Sequence, residues 1–180
     1  MSALLPAFLT AAGVLALAGA MKLRTPEATV GALAAAGIRV PVRAVCALGA
    51  GELVLAGACA LRPSTATATA LAIVYLVFAA FVAAGLQRGE ATPCGCFGDA
   101  SAQLTGWHLA LDLAASAIAI ATALAPPSWD AVSPGALAAG ALAIGVAACV
   151  YLVHAAYTRL PAAAWAARGA GRTRGSRWDR

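Results

Sequence analysis

The chain reads as an all-α integral membrane protein, a helical bundle with five spanning segments, and two observations carry that reading. Hydrophobic residues make up 62% of its 180 positions and charged ones 11%, with a mean hydropathy of +0.85, too apolar a balance for a water-soluble domain of this size. The apolar residues also gather into five stretches near the roughly 20 residues that a helix rising about 1.5 Å per residue needs to cross a bilayer. Lipid offers the backbone no hydrogen-bond partner, so stretches of this length are helices and not open strands. A surplus of Ala and Gly over large aliphatics points the same way, because membrane helices approach one another through small residues.

The first segment runs from Leu4 to Met21. Its Ala18-Gly19-Ala20 resembles a signal-peptidase site, but no Lys or Arg precedes the apolar run while Lys22 and Arg24 follow it, the reverse of an export signal's charge order. It is expected to stay as an anchor. The second segment runs from Val42 to Leu61, interrupted by Glu52; the third from Ala66 to Leu86; the fourth from Leu104 to Leu124, with His108 and Asp112; the fifth from Pro134 to Tyr157, with His154 near its end. Between the first two, residues 22–41 are too polar to cross. Ala28, Val30, Leu33, Ala34 and Ile38 have helix-compatible spacing there, so the alternatives are a short interfacial helix ending at Gly37 before Pro41 and a plain loop.

Cytoplasmic loops collect Lys and Arg. Lys22, Arg24, Arg39 and Arg43 follow the first helix, Arg88 the third, and Arg159, Arg168, Arg172, Arg174, Arg177 and Arg180 the fifth, against Arg62 alone on the other side. This distribution places the N-terminus outside and the C-terminus in the cytoplasm of a multi-pass plasma-membrane protein. The formal charge of +5 is then a topology determinant that also draws anionic lipid headgroups. Nucleic acid is not an expected partner, since no stacking aromatics or recognised binding fold accompany the basic run. From Ala162 onward the Ala-, Gly- and Arg-rich tail is expected to be disordered.

Five cysteines are present: Cys46, Cys59, Cys94, Cys96 and Cys149. Cys59 and Cys149 lie inside helices, where a cysteine packs as a small apolar residue. Cys94 and Cys96 sit instead in the polar loop between the third and fourth segments, and access is a condition for thiol exchange. A disulfide across one residue closes a small strained ring for which Gly95 is the best suited spacer, and strain makes the bond easier to reduce. Such a pair passes oxidation on rather than stapling the fold. The rival readings are a soft metal ion, with Asp99 and His108 as conceivable further ligands, and two incidental loop cysteines. A closed zinc site needs four ligands and no second pair accompanies this one, so no metal is assigned. Cys46 begins about 6 Å below the same membrane face and is a candidate resolving thiol, with packing as the alternative.

Acids at membrane depth need partners. Glu52 and Asp112 lie about 15 Å and 12 Å below the face that carries the thiol loop, at depths where they can meet. His108 shares a helix face with Asp112 one turn nearer that loop. These three residues are candidates for a proton relay to a thiolate, or for polar contacts that fix packing. No cofactor is expected: the chain has no Cys-x-x-Cys-His haem motif and no nucleotide-binding glycine loop. Ala141-x-x-x-Gly145 offers a small-residue seam for a homo- or hetero-oligomer.

Gly19-Ala20-Met21-Lys22-Leu23, Gly51-Glu52-Leu53-Val54-Leu55-Ala56-Gly57 and Cys94-Gly95-Cys96-Phe97-Gly98 followed by Trp107 together resemble the MauE/DoxX-like membrane proteins, MauE in particular. The resemblance covers residues 4 to 125 and implies a four-helix domain over 1–125. An additional spanning helix over 126–158 and a basic tail over 159–180 lie outside it. It implies thiol-disulfide chemistry beside a thioredoxin-like or other thiol protein partner, of the kind that supports maturation of methylamine dehydrogenase, with Cys94 and Cys96 as the redox pair. The alternatives are a small-solute or proton transporter working through Glu52, His108 and Asp112, and a non-catalytic scaffold.

Overall fold

The computed structural model describes residues 4–88, 95, 104–126 and 136–175, with the side chains of the last segment described over 139–158. Six helices follow one another: α1 (Leu5–Arg24), α2 (Pro26–Ala35), α3 (Val42–Leu61), α4 (Thr65–Gln87), α5 (Gly106–Leu124) and α6 (Ala136–Gly175). All but α2 are long and apolar enough to cross a membrane, which makes the architecture a helical membrane bundle. Val54, Ile73, Val77, Leu124, Ile144 and Leu152 are exposed on its outside, where lipid would cover them.

The ends of the helices are written locally. Pro6 stands in the first turn of α1 and Pro26 in that of α2, where a missing N–H leaves no bond unmade. Ser64 caps α4 reciprocally with Thr67, and Thr105 caps α5 with His108. The segment left open between helix and loop is a helix, and it stops for an identifiable reason. Gly37 takes φ +83, the N–H of Ile38 reaches the carbonyl of Leu33 at 2.8 Å and that of Gly37 the carbonyl of Ala34 at 2.9 Å, a Schellman ending. At the other extreme, α6 is helical through Gly175, although composition leads one to expect disorder from Ala162. Ala and Arg are strong helix formers, and here the backbone follows that propensity.

Lipid tails are as apolar as the side chains they would replace, so close packing holds the bundle together where exclusion from water cannot. The main core is built from Phe8, Leu15, Leu71 and Tyr75 with small residues of α3 and α5. Tyr75 places its hydroxyl in this apolar layer by donating to the carbonyl of Ala11 at 2.7 Å. The most extensive contacts join α4 to α5 and α1 to α3. At the second of these, Gly19 and Gly49 face each other. A Cβ on Gly19 would stand 2.6 Å from the Gly49 carbonyl oxygen, and one on Gly49 2.7 Å from the Gly19 oxygen. No atom fits there, so the two backbones touch. α6 packs mainly on α1, with Gly13 receiving Val150; Gly145 of the expected seam meets nothing within 4 Å.

Gly49→Ala is expected to force α1 and α3 apart and cost about 1–3 kcal/mol, as overpacking does, read as a lower unfolding midpoint in detergent. Gly51→Ala, where an added Cβ meets nothing, should stay within about 0.5 kcal/mol of the native protein.

Candidate functional site

Each glycine of the crossing lies one helical turn before a charge. Lys22 follows Gly19 and Glu52 follows Gly49 by three residues, and the backbone contact brings both side chains to the same level. Lys22 Nζ donates to Glu52 Oε2 at 2.8 Å, with side-chain exposures of 3% and 2%. The ammonium also lies 5.3 Å from the centroid of the Phe78 ring, close enough for a cation–π contact. Glu52 Oε1 is buried with no hydrogen-bond partner among the described residues. The sequence reading ends the first helix at Met21 and counts Lys22 among the loop cations. The structure corrects both, because α1 continues to Arg24 and Lys22 is a core residue.

A second polar cluster lies on α5. Asp112, 5% exposed, accepts a hydrogen bond from the Tyr157 hydroxyl of α6 at 2.7 Å. The two membrane acids, expected at depths where they can meet, are thus partnered separately, one by Lys22 and the other by Tyr157. One turn back, His108 is 1% exposed, and its ring centroid is 5.2 Å from that of Tyr157. The backbone N–H of Thr105 donates to His108 Nδ1 at 3.1 Å, and the Thr105 hydroxyl stands 2.9 Å from the same nitrogen. A backbone N–H can only donate, so Nδ1 is the acceptor and the neutral ring carries its proton on Nε2. His108 and Asp112 do share a face, as their spacing predicts.

Cys94 and Cys96 lie outside the described residues, as do Phe97, Asp99 and most of their loop. Gly95 between the two thiols is described, and it is buried. Its φ is +62, its carbonyl accepts from Thr29 Oγ1 of α2 at 2.8 Å, and a Cβ placed on it would be 2.6 Å from Ala32 Cβ and 2.8 Å from the Ala28 carbonyl oxygen. Glycine is required twice over, once by the left-handed backbone and once by the space. The short helix α2 is therefore the seat of Gly95. Cys46 is half-buried in the second turn of α3. Cys59 is fully buried and donates to the carbonyl of Thr67 at 3.6 Å, whereas Cys149 is exposed on α6.

Sequence reasoning missed four residues: Lys22, Thr29, Thr105 and Tyr157. For Lys22 a signal existed, because Glu52 requires a buried cation and Gly-x-x-Lys in the first helix matches Gly-x-x-Glu in the second. Nothing local distinguishes Tyr157 from an interfacial aromatic.

The fold and these centres define a multi-pass helical membrane protein with a buried ion pair and with Gly95 of its Cys-Gly-Cys motif seated on the short helix α2. The model of the family described as Methylamine utilisation protein MauE matches residues 1–126. The chain belongs to the MauE family, and its α6 lies beyond the matched region. No curated protein and no solved structure matches the chain.

Lys22→Met alone leaves a buried carboxylate uncompensated and is expected to cost about 3–5 kcal/mol. Adding Glu52→Gln should recover most of that loss, which a double-mutant cycle of thermal unfolding in detergent would read as a favourable coupling.

Proposed function

We propose that this MauE-family protein, linked by its family to methylamine utilisation, exchanges disulfides with a protein dithiol through Cys94 and Cys96. The observation that carries the reading is the seat of Gly95: the one residue between the thiols is held on α2 by the Thr29 hydroxyl and admits no side chain. A loop whose cysteines were incidental would not need its spacer fixed so closely. The likeness of the same pentapeptide to DoxX-like proteins points to the same redox-associated chemistry.

In the exchange, a partner thiolate attacks one sulfur of the Cys94–Cys96 disulfide, and a mixed disulfide forms as the other sulfur leaves as thiolate. The partner's second thiol then closes its own disulfide. Two electrons pass from the partner dithiol to the pair, and two protons follow to the leaving thiolates. The partner this chemistry fits is thioredoxin-like, and Cys46, in the second turn of α3, is the candidate resolving thiol. The pairing of Glu52 with Lys22 and of Asp112 with Tyr157 supports packing roles for both acids over transport of a solute. Exposed Arg24, Arg39, Arg43 and Arg88 support a cytoplasmic thiol loop even with Lys22 removed from the count, in a plasma-membrane protein whose N-terminus is outside.

Cys96→Ser or Cys94→Ser should trap a mixed disulfide with a partner on non-reducing gels; no trapped species from either variant would overturn the redox reading. Orientation has its own test, in a variant that keeps only Cys94 and Cys96. A membrane-impermeant maleimide should label it after permeabilisation and leave it unlabelled in intact cells, and labelling in intact cells would place the loop outside.

A further inference from the structure

Among the described residues, α3 and α6 both pack on α1 and make at most slight contact with each other, which leaves a groove between them. Residues 9–16 of α1, 53–60 of α3 and 139–146 of α6 line it, and each of these stretches runs about 10 Å at 1.5 Å per residue. The groove lies where α1 and α6 begin and α3 ends, at the face of the bundle opposite α2. Every lining residue is Ala, Gly, Leu or Val. Small ones such as Ala12, Ala16, Ala56, Gly57 and Ala143 leave a space of ≈ 710 Å³, inside the range of about 300–1,000 Å³ over which pockets hold small ligands. Along α6 the lining ends at Val146, and one turn deeper Val150 closes on Gly13 of α1.

We propose that the groove binds one acyl chain of an anionic glycerophospholipid whose phosphate is held by Arg62. Three observations choose this occupant. The groove fits within a single leaflet, about 15 Å or half of a hydrocarbon core of about 30 Å, so it admits a chain descending from the nearer headgroup layer and is too short for a partner helix that crosses the whole bilayer. Its lining presents no polar side chain, and among lipids the drive to fill it is the dispersion contact that a void forgoes. The third observation is charge. Arg62 follows α3 directly, two residues past Ala60, and it is exposed and in no ion pair among the described residues. It is also the lone Lys or Arg in the sequence of the connections at this face. A guanidinium matches phosphate bidentately, and its flexible stem lets the head reach the headgroup layer. The site lies at the end of the bundle away from Gly95 and stands whether or not Cys94 and Cys96 exchange disulfides.

The test is photo-cross-linking of the full-length protein in phosphatidylcholine liposomes, with a trace of phosphatidylglycerol or of phosphatidylcholine carrying a diazirine at the middle of one acyl chain. Labelling of the groove residues is compared with that of Ile73, which is exposed on α4 and lies, like Leu53 on α3, about 12 Å from its helix end. The groove should be labelled above Ile73. Its labelling relative to Ile73 should be about fivefold higher with the phosphatidylglycerol probe, since one arginine near the surface attracts an anionic lipid by about 1 kcal/mol. Arg62→Gln should reduce the phosphatidylglycerol ratio to the phosphatidylcholine value. Gly57→Leu, which fills an open position on the groove wall, should lower both ratios, whereas Gly51→Leu, equally open but outside the lining, should change neither. Groove labelling in the native protein no higher than at Ile73, as a second copy or another resident molecule would produce, overturns the proposal without recourse to any variant. Equal ratios for the two probes overturn it as well.

Discussion

The arrangement of the bundle depends on one ion pair placed where charge is expensive. Lys22 and Glu52 are both almost fully buried, and the 2.8 Å bond between them lets each reside at membrane depth. That bond exists because two glycines remove the side chains that would otherwise separate α1 from α3. Gly19 and Gly49 set the distance, and a shared offset of three residues sets the level, so one backbone contact determines where two charges meet. The register of α1 on α3 in turn fixes where α1 ends and where α2, which begins at once, can lie. Since α2 is the surface on which Gly95 rests, the position of Gly95 descends from the glycine crossing between α1 and α3.

Lys22, Glu52, His108 and Asp112, all buried, form two centres. In one, a lysine answers a glutamate and also lies near the Phe78 ring. In the other, Asp112 takes a bond from a hydroxyl, and His108 is held by the capping turn of its own helix. Glu52 has a full counter-charge beside it, and Asp112 accepts a hydrogen bond from the Tyr157 hydroxyl. Thr105 ties the orientation of the imidazole to the first turn of α5, so a local capping motif reaches into the core.

Hydropathy made the crossing helices legible, and the second segment begins and ends where the apolar run does, at Val42 and Leu61. The environment of the acids was only half legible. That Glu52 needed a partner is implied by its position in an apolar run, but counting basic residues by loop assigns Lys22 to the surface, because the three residues from Lys22 to Arg24 are polar enough to read as the connection although they belong to the first helix. The spacing of His108 and Asp112 gave their shared face correctly, and it could not give Tyr157, which lies 45 positions further along the chain from Asp112 and meets them only through tertiary packing. Gly95 was legible as a flexible spacer. Its second constraint, the contact with Ala28 and Ala32, needed a helix that the sequence left as an even choice with a loop.

Tyr157 carries a further meaning for how the chain is divided. The family match ends at residue 126, yet a buried carboxylate within it takes a bond from a side chain 31 residues past that limit, as the numbering of Tyr157 shows. A boundary drawn from kinship therefore does not coincide with a boundary in the packing. Asp112 is built into the family unit but takes a hydrogen bond from α6, which rests chiefly on α1. Any displacement of that outer helix by lipid, by a bound protein or by truncation would be registered first at a carboxylate in the core, well away from the surface where the disturbance began.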